Sequence, residues 1–222
     1  MSTAESASQP ALNKFFLIFL AGLPVALLVV VALTQARKSP PGDAKAVAPE
    51  RPQPLPILSE VMDFQMTERS GRSVGLKDLK GKIWLASFVF TRCKGPCPLI
   101  AQRMAQLQER LQTQRALQLV TFTMDPEYDT PEVLTRFAEQ YNADPERWWF
   151  LGGGKTGASV YDLSRMSFKL AADHTPDNEI VHSDRVAVVD RLGRVRALIS
   201  TGDDGAIEEI VRAVSLLVHE QP

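Results

Sequence analysis

The sequence predicts an α/β fold, a mixed central sheet with helices on both faces, behind an apolar N-terminal segment. Three observations predict it. Lys82 to Phe90, KIWLASFVF, is apolar through most of its length, as a strand covered on both faces must be. Ile100, Met104, Leu107 and Leu111 then recur at the offsets of one helical face. The same exchange of strand-like and helix-like segments continues to the C terminus, an alternation that buries a sheet beneath helices.

Residues 1–14 form a short N-terminal tail. Phe15 to Leu33, FFLIFLAGLPVALLVVVAL, carries no charged side chain and lies between Lys14 and Arg37-Lys38. Residues 15–36 are therefore expected to form one transmembrane anchor, since ~20 apolar residues span a bilayer as a helix. A cleaved signal peptide is the competing reading, but the run exceeds the usual ~7–15-residue signal core and no Ala-x-Ala closes it. Pro24 is tolerable within such a span, where neighbouring groups re-satisfy the freed carbonyl. Residues 37–56 include SPPGDAKAVAPERPQPLP, a proline-rich stretch almost free of large apolar side chains, which makes an extended, semi-rigid tether. The folded domain is assigned to residues 57–222.

Within it, Pro98 suits the first turn of the helix after the Lys82–Phe90 strand, where a missing N–H is harmless. Leu117 to Thr123 is a second strand. Asp125-Pro126 marks a turn, and Thr130-Pro131-Glu132 starts a helix carrying Val133, Leu134, Phe137 and Tyr141. Trp148 to Leu151 is a short strand ended by a turn at Gly152-Gly153-Gly154, and Lys155 to Leu163 is expected to be helical. Val186 to Asp190 and Val195 to Ile199 flank a hairpin turn at residues 191–194. Ile207, Ile210, Val211, Val214, Leu217 and Val218 mark a final helix. Trp84, Trp148 and Trp149 are expected to pack in the core or at its rim.

The net charge of −1 on 222 residues argues against nucleic-acid binding, which calls for a basic face. Cysteine usage is more informative, because the chain has two cysteines, Cys93 and Cys97, four apart. A close pair without other thiols points to chemistry at that pair. The run Arg92-Cys93-Lys94-Gly95-Pro96-Cys97-Pro98 joins a buried strand to a helix. The free N–H groups and dipole of that helix are expected to bias Cys97, and less so Cys93, toward thiolate.

Two thiolates in one tight loop with one further ligand make a soft, low-coordinate site, better suited to Cu(I) than to a hard ion. Structural zinc would call for a fourth protein ligand. The chain has three histidines, His174, His182 and His219. His219, at the end of the last helix, reads as a surface residue. His182 directly precedes a strand and can meet a loop leaving a neighbouring strand, whereas His174 lies in the polar segment Ala172 to Glu179. The residues alone favour His182 and leave His174 open as an alternative ligand. Asp125 is first a turn residue capping nearby N–H groups; a role beside the cysteine loop is the functional alternative.

Four segments, in order, carry a family resemblance. Ser87 to Pro98, SFVFTRCKGPCP, resembles the copper site of the Sco/SenC family, assembly factors of the cytochrome oxidase copper centre. Thr123 to Glu132, TMDPEYDTPE, is similar to that family's Asp-Pro…Asp-Thr-Pro segment, and Trp149 to Gly153 to its next strand and turn. Val181-His182-Ser183 with Val186 to Gly193 resembles its His-Ser strand. The resemblance covers about Leu55 to Leu217 and implies a thioredoxin-like fold with an added hairpin, with Cys93, Cys97 and His182 as copper ligands. Two departures stand out: Lys94 replaces a frequent proline, and Asp173 to Val181 is longer and more polar than usual.

The resemblance implies a membrane-anchored copper metallochaperone or thiol reductant, handling Cu(I), Cu(II) or both. Its partner would be the copper-centre subunit of a respiratory oxidase or another copper chaperone. The domain would lie on the periplasmic or other extracytoplasmic side of a single-pass anchor. A metal-independent thiol-disulfide oxidoreductase or peroxiredoxin-like enzyme would use the same pair, although such enzymes usually place two residues between the cysteines where this chain has three. A copper or redox sensor is a third alternative, to be separated by its partners.

Overall fold

Ile83–Val89 is buried at every position, and so is Leu117–Thr123. These runs form the parallel centre of an eight-stranded mixed sheet in the computed structural model, which describes residues 30–31, 53–157, 159–170, 172–174 and 180–220. The chain divides into two compact units, Met1–Arg51 and Pro52–Pro222. In the first, Val30 and Val31 are helical, and the remainder of the expected anchor at 15–36 lies outside the described residues. Among the described residues no helix is long and apolar enough to cross a membrane.

In the second unit the main-sheet strands are β1 (Ser59–Glu60), β2 (Phe64–Glu68), β3 (Ser73–Gly75), β4 (Ile83–Val89), β5 (Leu117–Thr123), β6 (Trp148–Gly157), β9 (Arg185–Val189) and β10 (Arg194–Ser200). A separate hairpin pairs β7 (Ala172–His174) with β8 (Ile180–His182). The spatial order of the sheet is β1-β10-β9-β4-β5-β6-β2-β3. Strands β4, β5 and β6 run parallel, while β9 joins β4, and β2 joins β6, antiparallel.

The helices are α1 (Cys97–Arg110), α2 (Pro131–Gln140), a short turn α3 (Val160–Asp162) running into a π-helical turn at Leu163–Ser167, and α4 (Ala206–His219). The path β4-α1-β5-α2-β6 moves one strand at a time in one direction, so right-handed crossovers set α1 and α2 on the same face. Ile100, Met104, Leu134, Phe137, Ile210 and Val214 accordingly share one core layer with Leu85, Leu119 and Phe150. The opposite face is filled by Trp84, Phe88 and Phe122 beneath Leu163, Phe168 and Leu170. Helical segments thus lie on both faces of the described sheet, but unequally: long helices on one side, short turns, including a 3-10 turn at Leu76–Asp78, on the other. Trp84, Trp148 and Trp149 are buried, as expected of packing residues.

Two expectations fail between residues 152 and 163. The three glycines do not end a strand; β6 continues to Gly157, with Gly152 opposite Thr67 and Gly154 opposite Met66 across register shifts. A Cβ on Gly152 would lie 2.8 Å from Thr123 Cγ2, so glycine there permits close approach to β5. The helix expected over Lys155 to Leu163 is reduced to Val160–Asp162, N-capped by Ser159, whose Oγ accepts the Asp162 N–H at 3.1 Å.

At the β1 edge a buried arginine joins distant parts of the chain. Arg196 Nη1 donates to Asp190 Oδ2 at 3.0 Å, its Nε to the carbonyls of Leu55 and Pro56 at 3.1 and 3.2 Å, and its Nη2 to Glu220 Oε2 at 3.0 Å. The start of the unit, the β9–β10 turn and the end of α4 therefore meet on one side chain.

Candidate metal centre

Strands β4 and β5 end level, with Val89 in register with Thr123, and the cysteine loop departs from that end of the sheet. Phe90 accepts the Cys93 N–H at 3.2 Å, a turn that aims the chain toward α1. Gly95 donates its N–H to Cys93 Sγ at 3.3 Å. Pro96 occupies the N-cap of α1, Cys97 is its first residue, and Pro98 falls in the first turn as expected.

Both cysteines are thiols rather than a disulfide, Cys93 half-buried and Cys97 only 1% exposed. The expected thiolate bias of Cys97 is reversed: burial pushes its thiol well up, and a hydrogen bond with Cys93 acts the same way. The N–H groups of Phe90 and of Cys97 itself pull down, but less strongly. With Pro96 and Pro98 flanking it, this helix start also offers fewer N–H donors than most. Cys97 is thus held toward its protonated thiol beside Cys93, and a cation that binds through it must displace that proton.

Asp125 lies in the expected turn, but its carboxylate does not cap that turn. Its carbonyl accepts the N–H groups of Tyr128 and Asp129 at 3.1 and 2.8 Å, building the turn after β5. Its carboxylate takes Arg92 Nε at 2.7 Å, beside Cys93, and Arg92 also lies over the Tyr128 ring at 4.7 Å. Burial raises the pKa of Asp129, although hydrogen bonds from Thr123 and Thr91 oppose the rise.

The backbone brings His182 to the same end of the sheet. Strand β9 runs antiparallel to β4, with Ala187 opposite Ala86, so its Arg185 end lies where β4 delivers the cysteine loop. His182 closes β8 three residues earlier, opposite Ala172. The Asp184 carbonyl accepts the Thr201 hydroxyl at 2.8 Å, and its carboxylate takes the Ser200 hydroxyl at 2.6 Å, fixing the entry to β9. His174 is not in an irregular loop but ends β7 opposite Ile180, nearer the hairpin connection than His182. His219 ends α4 and shares a shallow cavity with Gln53, Pro54 and Leu216, away from the cysteines. Among the described side chains no group of three His, Cys, Asp or Glu is assembled as a metal site. Cys93 and Cys97 supply two donors.

Residues whose roles were not read from the sequence also belong here: Thr91 and Thr123 both donate to Asp129 beneath the loop, and Asp129 figured in the sequence only as part of the Asp-Thr-Pro segment. Their available signal was a threonine at the end of each of two strands that prove to be parallel neighbours.

Comparison with known proteins agrees with this geometry. The SCO1/SenC family matches residues 56–219. A SCO1/SenC family lipoprotein from Bacillus anthracis is 31% identical, superimposes with a TM-score of 0.66, and is matched over 96% of its length and 72% of this chain. BsSco, a member of the Sco family of cytochrome c oxidase assembly proteins in which a disulfide switch was identified, is 29% identical with a TM-score of 0.62, over 98% of its length and 76% of this one. A Stutzerimonas stutzeri protein provisionally named as copper-binding is 29% identical over 153 residues, 71% of its length and 65% of this chain. A match across nearly the whole second unit, on a sheet that brings the paired thiols to one end, shows that the chain belongs to the SCO1/SenC family.

Proposed function

We propose that this domain binds copper through Cys93, Cys97 and His182 and delivers copper or electrons to the copper-centre subunit of a respiratory oxidase. The observation that carries the reading is the pair of hydrogen-bonded thiols at the junction of β4 and α1. Two sulfurs within reach of each other suit a soft cation, and the imidazole of His182, at the end of β8, would complete a low-coordinate site. The relation to cytochrome c oxidase assembly proteins, and to a relative named for copper binding, supports copper as the cargo.

Thiol exchange is the second reading, favoured by the unequal burial of the two sulfurs. Cys93, the more exposed, would attack a partner's disulfide as thiolate, forming a mixed disulfide and releasing one partner thiol. Cys97 would then attack the Cys93 sulfur, releasing the second partner thiol and leaving a Cys93–Cys97 disulfide. The partner gains two electrons and two protons. Reduced thiols serve both readings, since copper binding through them also requires reduction.

The uncharged run at 15–36 supports a single-pass anchor with the domain on the extracytoplasmic side, and the lipoprotein relative is consistent with attachment to a membrane. An anchored chain stays with membranes through a salt wash and keeps its N terminus, because salt screens charges but leaves buried apolar residues in lipid. A soluble form starting near Arg37 would instead establish signal cleavage.

The deciding experiment is Cu(I) titration of the reduced full chain in detergent. One ion should bind, and Cys93→Ser should abolish stoichiometric binding because a hydroxyl is too hard and too weakly acidic to replace thiolate. Full binding by Cys93→Ser rejects the site.

A further inference from the structure

The pairing of β4 ends at Val89, so Phe90 to Pro96 must be held in place by something other than the sheet. At its far end the loop is fixed by α1, which begins at Cys97. At its near end it is fixed by Asp129. Asp129 Oδ1 accepts the Thr91 hydroxyl at 2.5 Å, and Oδ2 accepts the Thr91 N–H at 3.1 Å together with the Thr123 hydroxyl. Thr123 Oγ1 in turn accepts the Asp125 N–H at 3.0 Å.

Asp129 is 2% exposed, and a carboxylate so far from water is unfavourable unless its acceptor sites are filled. Here they are filled by two groups of Thr91, two residues before Cys93, and by the end of the next strand. A surface turn starting a helix does not need such an arrangement. Thr130 already caps α2, its Oγ1 accepting the Val133 N–H at 3.4 Å.

We infer that Asp129, acting through Thr91, is a positioning residue that fixes Cys93 relative to Cys97. Cys97 is set by the helix; Cys93 is set by this clamp. The effective concentration of one sulfur at the other depends on how narrowly Cys93 is confined. That concentration governs both chelation of a soft cation and closure of the disulfide. The inference rests on the dithiol reading of the site and is tested so that the two can fail separately.

The test compares the full chain in detergent with Asp129→Ala, Thr91→Val, Thr91→Ser and Glu68→Gln. Glu68 is a control because it too is a buried carboxylate, accepting the Ser70 N–H at 2.8 Å, but on the β2 side of the sheet. Three quantities are measured: Cu(I) affinity by competition, the reduction potential of the Cys93–Cys97 pair without metal, and urea stability. Asp129→Ala should lower copper affinity about tenfold and shift the potential to less negative values by about 30 mV, the equivalent of tenfold for a two-electron couple. Thr91→Val should move both in the same direction by less, since the backbone bond survives, and Thr91→Ser should restore them. Glu68→Gln should lose stability alone. If Thr91→Val and Asp129→Ala match the parent in affinity and potential, or Glu68→Gln shifts both as far as they do, the inference is overturned. If Asp129→Ala does not fold, Thr91→Val against Thr91→Ser decides the matter. Failure of the parent to bind copper rejects the copper reading, while the potentials still judge Asp129.

Discussion

Arg92 Nε meets Asp125 Oδ2 at 2.7 Å, linking the residue just before Cys93 to the first turn after the neighbouring strand. The Arg92 side chain is 58% exposed and its partner 10%, so the bond is open to solvent on one side and screened by salt.

Arg92→Ala should therefore speed copper removal by a competing chelator by no more than about fivefold, the scale of an exposed ion pair. Raising ionic strength should accelerate release from the parent and leave the variant nearly unaffected. Stopped-flow chelator competition at two salt concentrations reads both effects. Equal salt dependence in the two proteins would remove Arg92 from the account.

His182→Ala should weaken copper retention by more than the ~10–100-fold that loss of an outer hydrogen-bonding partner costs, while the cysteines still cycle between thiol and disulfide. His174→Ala, from the facing strand of the same hairpin, should be milder. The check is a Cu(I) affinity measurement beside a disulfide reduction potential for each variant. Parent-like copper binding by His182→Ala together with loss in His174→Ala would transfer the third ligand to His174.

Gly152→Ala should destabilise the domain by about 1–3 kcal/mol, the usual scale of overpacking. The new methyl would meet Thr123 Cγ2 at 2.8 Å and Leu134 Cδ1 at 3.4 Å, pressing on the end of β5 and on α2. Urea unfolding measures the loss. A parent-like midpoint would show that these neighbours yield freely.

Acid sensitivity should centre on Asp190. Burial acts to raise its pKa, but the N–H groups of Arg194 and Leu192 and the guanidinium groups of Arg194 and Arg196 outweigh it and hold the carboxyl below its usual range. A depressed carboxyl stabilises the fold fully above its unfolded value near 3.9 and loses that contribution as pH falls through the folded value. Asp190→Asn should thus destabilise the protein at pH 7 by about 3 kcal/mol, because buried Arg196 loses a charged partner. The gap from the parent should begin to narrow below about pH 4, as Asp190 protonates in the unfolded chain, and should go on narrowing until pH falls through the lower folded value. A gap constant from pH 7 to pH 3 would contradict the assignment.

The central strands and long helices were legible because their signals are local. Continuous burial wrote β4 and β5 as apolar runs, and helical spacing wrote α1, α2 and α4. Strands β2 and β3 were not recognised, since Phe64–Glu68 alternates buried and half-buried residues over only five positions and gains its identity by pairing with β6. The same pairing converts Gly152 to Gly157 from an apparent turn and helix into strand. At the site, spacing identified Cys93 and Cys97 as a pair, but burial of Cys97 could not be read from its place in a loop, and that burial reverses the expected ionisation. Asp129 was visible only as part of the Asp-Thr-Pro segment; its role was hidden because its partner Thr91 lies 38 residues away, brought to it by the parallel alignment of two strands.

The Arg196 junction also has a mechanical consequence. Ser59 pairs with Val195, Val195 with Val189, and Val189 with Trp84, near the start of β4, whereas the cysteines follow its far end. Roughly five residues of strand, ~17 Å, separate the two. Tension applied to the chain at Pro54 would be taken up by Arg196, the β1–β10 edge and the end of α4, through Asp190 and Glu220. The cysteines follow the opposite end of β4, so a pull at this edge would reach them only along the length of that strand or through the packing of α4 on the core around Cys97.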